Sequence, residues 1–233
     1  HMAAYAYPST VVSLIISDVP GDDLSMVSSG PTVLDTTTRE QAQRIIKKYG
    51  LPNLQLMETP KDKKYFTKVH NILLAHGKTT LEAMRQKARA LGYKPRTYSS
   101  HLSGLANHVG PTMAKAVRPG EALIACGETE VIVTNPGKGG RNQDLALSAI
   151  ANLPQHSVII SAASDGKDNV PVAGAIADSV WSVSQCHRKR IDPQAAVEKN
   201  RSYRALRRLG DHLQIRKITA NVSDFVLVLR DKQ

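Results

Sequence analysis

The sequence predicts an α/β fold, layered with mostly parallel sheets and arranged as two subdomains. Three observations carry this expectation. Short continuous apolar runs of strand length, such as 11–17 (VVSLIIS) and 158–162, alternate with segments of helical periodicity. Several of these runs end in tight loops rich in Gly, Asp, Asn and Ser, the edge at which open α/β sheets bind ligands. With 41% hydrophobic residues but only two Phe and one Trp, the core must be built from Ala, Val, Ile and Leu, as is common in layered α/β proteins.

The elements follow in order. Residues 11–17 read as a buried parallel strand ending in the polar loop SDVPGDD. A turn-rich stretch, SSGPT, occupies 28–32. Over 39–49, Ala42, Ile45, Ile46 and Tyr49 recur at helical spacing, and Gly50 and Pro52 stop the helix. Residues 54–64 read as a loop and 66–75 as a short apolar segment. Thr80 can cap a helix with Leu81, Met84, Ala88 and Leu91 on one face, ended by Gly92. A strand near 96–98 and a helix over 105–117, interrupted at Pro111, complete the first half. Arg118-Pro119-Gly120 is the strongest boundary signal, giving domains at 5–117 and 119–231. Beyond it the pattern predicts strands at 122–125 and 130–134, a loop NPGKGGRNQ and a helix over 145–153. A strand at 158–162 follows, then the acidic loop SDGKDN. Helices over the alanine-rich 173–180 and over 193–209 precede a final strand at 225–229.

Composition narrows the class of function. No apolar run is long enough to cross a bilayer as a helix, so no membrane partner is expected. Cys126 and Cys186 lack the spacing of a disulfide framework or a metal site, as expected of reduced thiols in a cytoplasmic protein. His1-Met2 reads as a cloning scar, and the immediate start in structured-looking sequence suggests a piece of a longer protein. The net charge of +11 is concentrated between His187 and Lys217. Such a surface attracts small anions as well as nucleic acid, and no RNA-binding or zinc-finger pattern accompanies it. Charge alone therefore does not establish a nucleic-acid partner.

Three loops share one design: a strand, a tight turn, then a helix or turn. SDVPGDD offers Asp18, Asp22 and Asp23. GKGGRNQD offers the amides of Gly137, Gly139 and Gly140 with Arg141 and Asn142 at a helix start. SDGKDN offers Asp165 and Asp168. Glycines allow close approach to an anion, helix N-termini supply free N–H groups, and Arg provides a bidentate fork. Carboxylates can hold Mg2+ or accept a hydroxyl proton. These are parts of a phosphoryl-transfer site, although Asp and Gly are also ordinary turn formers and GKGGRN lacks the Walker A spacing. Pattern alone reaches only an α/β protein binding a small anion.

The wording and order of the loops go further. SDVPGDDLSMVSSGPTV, ETPK at 58–61, TTLEAMRQKARALGY, GETEVIV, GKGGRNQDLAL, SAASDGKD, AGAIAD and TANVSD resemble, over essentially the whole chain, the class II glycerate 2-kinases, a family also called hydroxypyruvate reductases. From about Pro119 onward the chain is similar to their MOFRL domain. The resemblance implies an ATP- and Mg2+-dependent phosphotransferase acting on the 2-hydroxyl of D-glycerate, with its site in a cleft between two α/β domains. It implies catalytic roles for Asp18 and Arg141. Ser29, Gly30, Thr32, Gly139, Gly140, Asn142 and Glu128 would bind substrate or phosphate, and Asp22 and Asp165 metal.

There are departures from the family pattern. Its N-terminal portion, with a glycine-rich nucleotide loop and a lysine, is absent, so this chain alone is expected to be inactive. An exposed surface left by that portion could drive homodimerisation. Asn169-Val170-Pro171-Val172 stands where a Gly-Pro-Thr-Asp run is usual, removing one carboxylate. Ile218-Thr219-Ala220-Asn221 lacks the usual glycines. A non-catalytic homologue binding a nucleotide or small anion is the alternative. A nucleic-acid-binding protein is a third reading. Reductase activity is disfavoured by the lack of a G-x-G-x-x-G loop.

Overall fold

The computed structural model describes residues 1–52, 54–215 and 220–232; Thr219 of the terminal motif and the basic pair Arg216 and Lys217 lie outside them. The chain forms two compact units. One comprises His1–Ile15 with Gly21–Leu74, the other Ile16–Pro20 with Ala75–Gln233.

The smaller unit contains α1 (Met2–Ala6), β1 (Val11–Ile16), α2 (Arg39–Lys48) and β2 (Val69–Ala75). Its α2 begins with a reciprocal capping box: the Thr38 hydroxyl accepts from Gln41 N, and Gln41 Oε1 accepts from Thr38 N. The ETPK segment is stapled by Lys61, whose Nζ donates to the carbonyls of Asp35 and Thr37 and pairs with Glu58 at 3.2 Å. Strands β1 and β2 form a two-stranded sheet. Val11 N bonds Lys68 O and Ser17 N bonds Ala75 O, an advance in the same direction on both chains that marks parallel pairing. Burial departs from expectation. Sequence reading made β1 a buried strand, but Val12, Leu14, Ile72 and Leu74 are exposed, while Ser13 and Asn71 on the other side share a polar chain through Thr32.

The larger unit contains, in chain order, α3 (Gly77–Ala90), β3 (Lys94–Leu102), α4 (Ala106–Ala116), β4 (Glu121–Gly127), α5 (Arg141–Ala149), β5 (Ser157–Ala163) and β6 (Gly174–Asp178). Helices α6 (Trp181–Lys189), α7 (Pro193–Glu198) and α8 (Ser202–Leu209) follow, with β7 (His212–Leu213) and β8 (Asp224–Arg230). The six strands are ordered β3-β4-β8-β5-β6-β7. The α/β class is as predicted, but the expected parallel sheet is a mixed one. Only β3 and β4 pair in parallel; β8 inserts antiparallel between β4 and β5, and β6 and β7 continue antiparallel. Strand β5 returns to β6 without an intervening helix, whereas α6, α7 and α8 separate β6 from β7 in sequence.

Strand β4 is buried along its whole length and feeds both faces. Leu123 and Ala125 join Met113, Leu145, Leu147, Leu206 and Val226 in the main core beneath α4, α5 and α8. Ala122, Ile124 and Cys126 face Leu81 and Ala88 of α3. Helix α4 runs through Pro111 rather than breaking there. The preceding Gly110 faces α5 so closely that a Cβ would sit 2.2 Å from Leu145 O.

Five further element readings are corrected, the first two by partners that local pattern does not reveal. The alanine-rich 173–180 contains β6 rather than a helix, because β5 offers it a ladder and a Cβ at Gly174 would lie 2.0 Å from Ser161 O. Residues 130–134 form only a bridge from Glu130 to Leu105; the amides of Thr134 and Asn135 are taken by the Asn200 side chain instead. The predicted helix 193–209 is two helices parted at Asn200, which adopts a left-handed φ of 51°. Helix α3 starts at Gly77 after a His76 cap, not at Thr80, and α5 starts at Arg141, four residues before its expected start. The division expected at 118–120 is not where the compact units part. Strands β3 and β4 pair directly across it, tied by Arg96 to Glu121 at 2.5 and 2.9 Å.

Candidate functional site

The larger unit carries a cleft of about 1010 Å³ whose wall includes Pro20, Glu128, Arg141, Asp144, Lys167 and Ser202. The loop 137–140 and the start of α5 build one side of it. Here glycine answers a demand for space. A Cβ would fall 1.8 Å from Asn200 O at Gly137, 2.0 Å from Ser202 Oγ at Gly139 and 2.3 Å from Asp168 Cγ at Gly140. The loop therefore lies pressed between the α7–α8 connection and the 164–172 loop.

The helix start itself is already occupied by an anion of the chain. Asp168, buried, accepts from Asn142 N at 3.2 Å and Gln143 N at 2.9 Å, and from Gln143 Nε2 at 3.0 Å. Its carboxylate meets the free N–H groups and positive dipole end of α5. The Asn142 side chain, also buried, accepts from Ser161 Oγ at 2.5 Å. Asn142, Gly139 and Gly140, singled out as phosphate ligands, thus lie in a helix start whose amides at 142 and 143 are spent on Asp168.

Arg141 is different, because it reaches the cleft. Its Nε and Nη2 contact the two oxygens of Asp224 at 2.5 and 3.2 Å, and Nη1 meets Glu128 at 2.5 Å. Asp224 at the start of β8 is buried, and burial raises its carboxyl pKa even against Arg141. Glu128 is half-exposed. A buried carboxylate therefore fixes the guanidinium from behind while an exposed one meets its outer edge, leaving part of the fork's five donors for a ligand.

The remaining candidates are placed as follows. Asp18, on the Ile16–Pro20 segment of the larger unit, accepts from Asn221 Nδ2 at 2.9 Å, and its carbonyl accepts from Ser223 Oγ at 2.8 Å. This joins SDVPGDD to TANVSD. Asp165 accepts from Lys167 N in a tight turn. Asp22, Ser29, Gly30 and Thr32 belong to the smaller unit. There Asp22 and Ser29 take left-handed φ values of 58° and 61°, and Thr32 is buried between Ser13 and Asn71. Among the described residues no three His, Cys, Asp or Glu side chains gather as metal ligands. Asp22 belongs to the smaller unit and Asp165 to the larger.

Two cleft residues, Asp144 and Ser202, and the Asp224 that braces Arg141 were not chosen from sequence as site candidates. Asp224 closes the TANVSD motif but reads there as a strand boundary. Asp144 and Ser202 each open or line a helix in the sequence pattern and come together only in the fold. Burial pushes the Asp144 carboxyl up to about 6, with the Asp168 charge adding to the effect and the Ser202 hydroxyl opposing it.

Residues 121–224 match the MOFRL family, and residues 1–62 match a domain of unknown function, DUF4147. Glycerate 2-kinase of Pyrococcus horikoshii is 33% identical, over 94% of this chain and 56% of its own length. D-glycerate 2-kinase of Thermotoga maritima is 31% identical, over 97% of this chain and 58% of its own. The crystal structure of glycerate kinase from Thermotoga maritima superposes with a TM-score of 0.89 at 31% identity, covering 98% of this chain and 59% of that one. The chain thus spans under two thirds of the length of these relatives.

Proposed function

We propose that this chain, similar over residues 121–224 to the MOFRL family and over most of its length to glycerate 2-kinases, forms part of a phosphotransferase that moves a phosphoryl group from ATP to the 2-hydroxyl of D-glycerate. The observation that supports this most directly is Arg141, held by Asp224 at the wall of the cleft with donors to spare. Phosphoryl transfer depends chiefly on positioning and charge neutralisation, and a braced guanidinium supplies both for a carboxylate or a transferring phosphoryl group. Asp224 is then a positioning residue. Asp18, oriented by Asn221, is the candidate for accepting the substrate hydroxyl proton. We assign no step to Mg2+. The chain spans 56% and 58% of the lengths of the two glycerate 2-kinase relatives, and we assign it a share of the site rather than turnover.

The test is calorimetric titration of the chain with D-glycerate and, separately, with ATP, beside a coupled ADP-release assay. Binding of D-glycerate that Arg141→Ala weakens at least tenfold, without ADP release, supports the reading. Wild-type binding by Arg141→Ala would remove Arg141 from it. Absence of binding to both ligands would remove the kinase reading for this chain.

A further inference from the structure

The basic run of the sequence, which the kinase reading leaves unused, folds into a groove of one sign. Every charged residue from Lys199 to Arg208 is basic, and no acid occurs between Glu198 and Asp211. Helix α8 turns Ala205, Leu206 and Leu209 into the core, so its arginines are left on the exposed side. Arg201, Arg204 and Arg208 recur at helical spacing and share one face. That face meets Arg190, at the end of α6, and Lys199, at the end of α7, around a groove of about 240 Å³.

Among the described residues none of these five cations pairs with a carboxylate. Asp192 is the single acid on the groove wall, and its carboxylate accepts from Ala195 N at 3.1 Å as the cap of α7. The backbone around the groove is tied together. Arg208 Nη2 donates to Lys189 O at 3.0 Å while Lys189 Nζ donates to Arg208 O, a reciprocal clasp between the ends of α6 and α8. Arg201 N donates to Ala196 O, which fastens the start of α8 to α7. Arg190 takes a left-handed φ of 50° in the turn that ends α6, and Ile191 N returns to Cys186 O. Buried Ile191 and Ala205 form the floor, so the hollow is small and apolar below and cationic at its rim. Like charges gathered this way repel one another, and an anion with several charges relieves that repulsion.

We propose that this groove binds a short chain of linked phosphates, either free or as the tail of a nucleotide. Arginine forks match phosphate oxygens in pairs, and four of the five cations are arginines. A single phosphate cannot engage them all, whereas two or three linked phosphates carry charge along the whole face of α8. Nucleic acid fits the groove less well. The hollow is smaller than the roughly 300–1,000 Å³ of ordinary ligand pockets, and its lining holds no aromatic side chain on which a base could stack. The groove shares no residue with the cleft that contains Arg141, so the assignment does not rest on the kinase reading.

The test is calorimetric titration of the chain at low salt with tripolyphosphate, orthophosphate, ATP and a short single-stranded oligonucleotide. Arg201→Gln with Arg204→Gln removes two exposed charges from the groove. Lys47→Gln with Lys48→Gln removes the same charge from α2, also exposed, in the other unit. We expect tripolyphosphate to bind one to one and more tightly than orthophosphate. Its affinity should fall at least tenfold in the groove variant, in line with the loss of two charge-assisted contacts, and stay unchanged in the α2 variant and in Arg141→Ala. The groove variant should melt no lower than the wild type, since it loses only repelling charges. ATP that binds no tighter than tripolyphosphate assigns the groove to the phosphates alone. ATP that binds tighter, with the excess lost in the groove variant, makes a nucleoside triphosphate the occupant. Absence of tripolyphosphate binding overturns the proposal, and so does an equal loss in the α2 variant, which reports diffuse charge. Loss of tripolyphosphate binding in Arg141→Ala overturns it too, by moving the anion to the cleft. Tighter binding of the oligonucleotide, lost in the groove variant, replaces it with a nucleic-acid surface.

Discussion

Asp168→Ala should be the most damaging single change around α5. In the native chain the carboxylate accepts two backbone N–H groups, from Asn142 and Gln143, and the Gln143 side-chain amide, all within a buried site. Alanine leaves those donors in a space that water does not readily fill, and removes a negative charge from the positive end of the helix. Hydrogen bonds to charged groups contribute about 1.5–3 kcal/mol each, so two lost backbone bonds predict about 3–6 kcal/mol. At a urea slope of about 2–3 kcal/mol/M, this lowers the midpoint by about 1–3 M. Trp181 opens α6 in the same unit and is the sole tryptophan, so its fluorescence during urea unfolding reports on this unit specifically. Asp168→Asn retains one accepting oxygen and should fall between the wild type and the alanine variant. A midpoint shift below about 0.5 M for Asp168→Ala would refute the claim that this carboxylate is what satisfies the helix start.

Other outcomes follow from the same geometry. Gly140→Ala forces a Cβ to 2.3 Å from Asp168 Cγ and 2.4 Å from its carbonyl, whereas Gly92, at a φ of 84°, has open space around it. Thermal melts should show Gly140→Ala losing more than about 2 kcal/mol and Gly92→Ala about 1 kcal/mol, and the reverse order would contradict the close-packing account. Asp144, whose pKa rises from the usual 3.8 to about 6, binds its proton about 3 kcal/mol more tightly in the folded chain than in the unfolded one. Its contribution is therefore fully present below pH 4 and lost as pH rises through 6. Urea midpoints across pH 4–7 should decline in the wild type relative to Asp144→Asn, and parallel profiles would count against this. Burial, followed by the charges of Asp211 and Asp192, pushes the Cys186 thiol up to about 11, and Cys126 is fully buried. At pH 8 Ellman's reagent should label neither thiol until denaturant is added; rapid labelling of the native chain would show that α6 opens readily.

How much of this was legible in the sequence depends on the range of the interaction. Helix α2 and the strands at 158–162 and 225–229 follow from neighbours in sequence, and the structure extends those strands by only one residue at each end. The exposed side of β1 was not legible, because VVSLIIS is apolar on both faces and periodicity cannot say which face lacks a cover. Alanine at 173, 175 and 177 favours helix locally, and only the ladder with β5 makes it a strand. At the cleft, the GGRNQ loop and Arg141 stood out in sequence, as did the aspartates of SDGKDN. That Asp168 fills the helix start 25 residues before it is a tertiary fact. The partnership of Asp144 with Ser202 is another, since neither residue carries a motif that points to the other.

The position of β8 has a consequence for synthesis. It lies between β4 and β5, yet its partners on both sides are made earlier; Ala122 waits for Leu229, roughly a hundred residues later. During translation, β3–β4 and β5–β6 can exist only as separate half-sheets, each with an unsatisfied edge, until the central strand arrives. Sequence separation of this kind slows folding because loop closure precedes the reward of contact. The sheet of the larger unit is therefore completed only after β8 has left the ribosome.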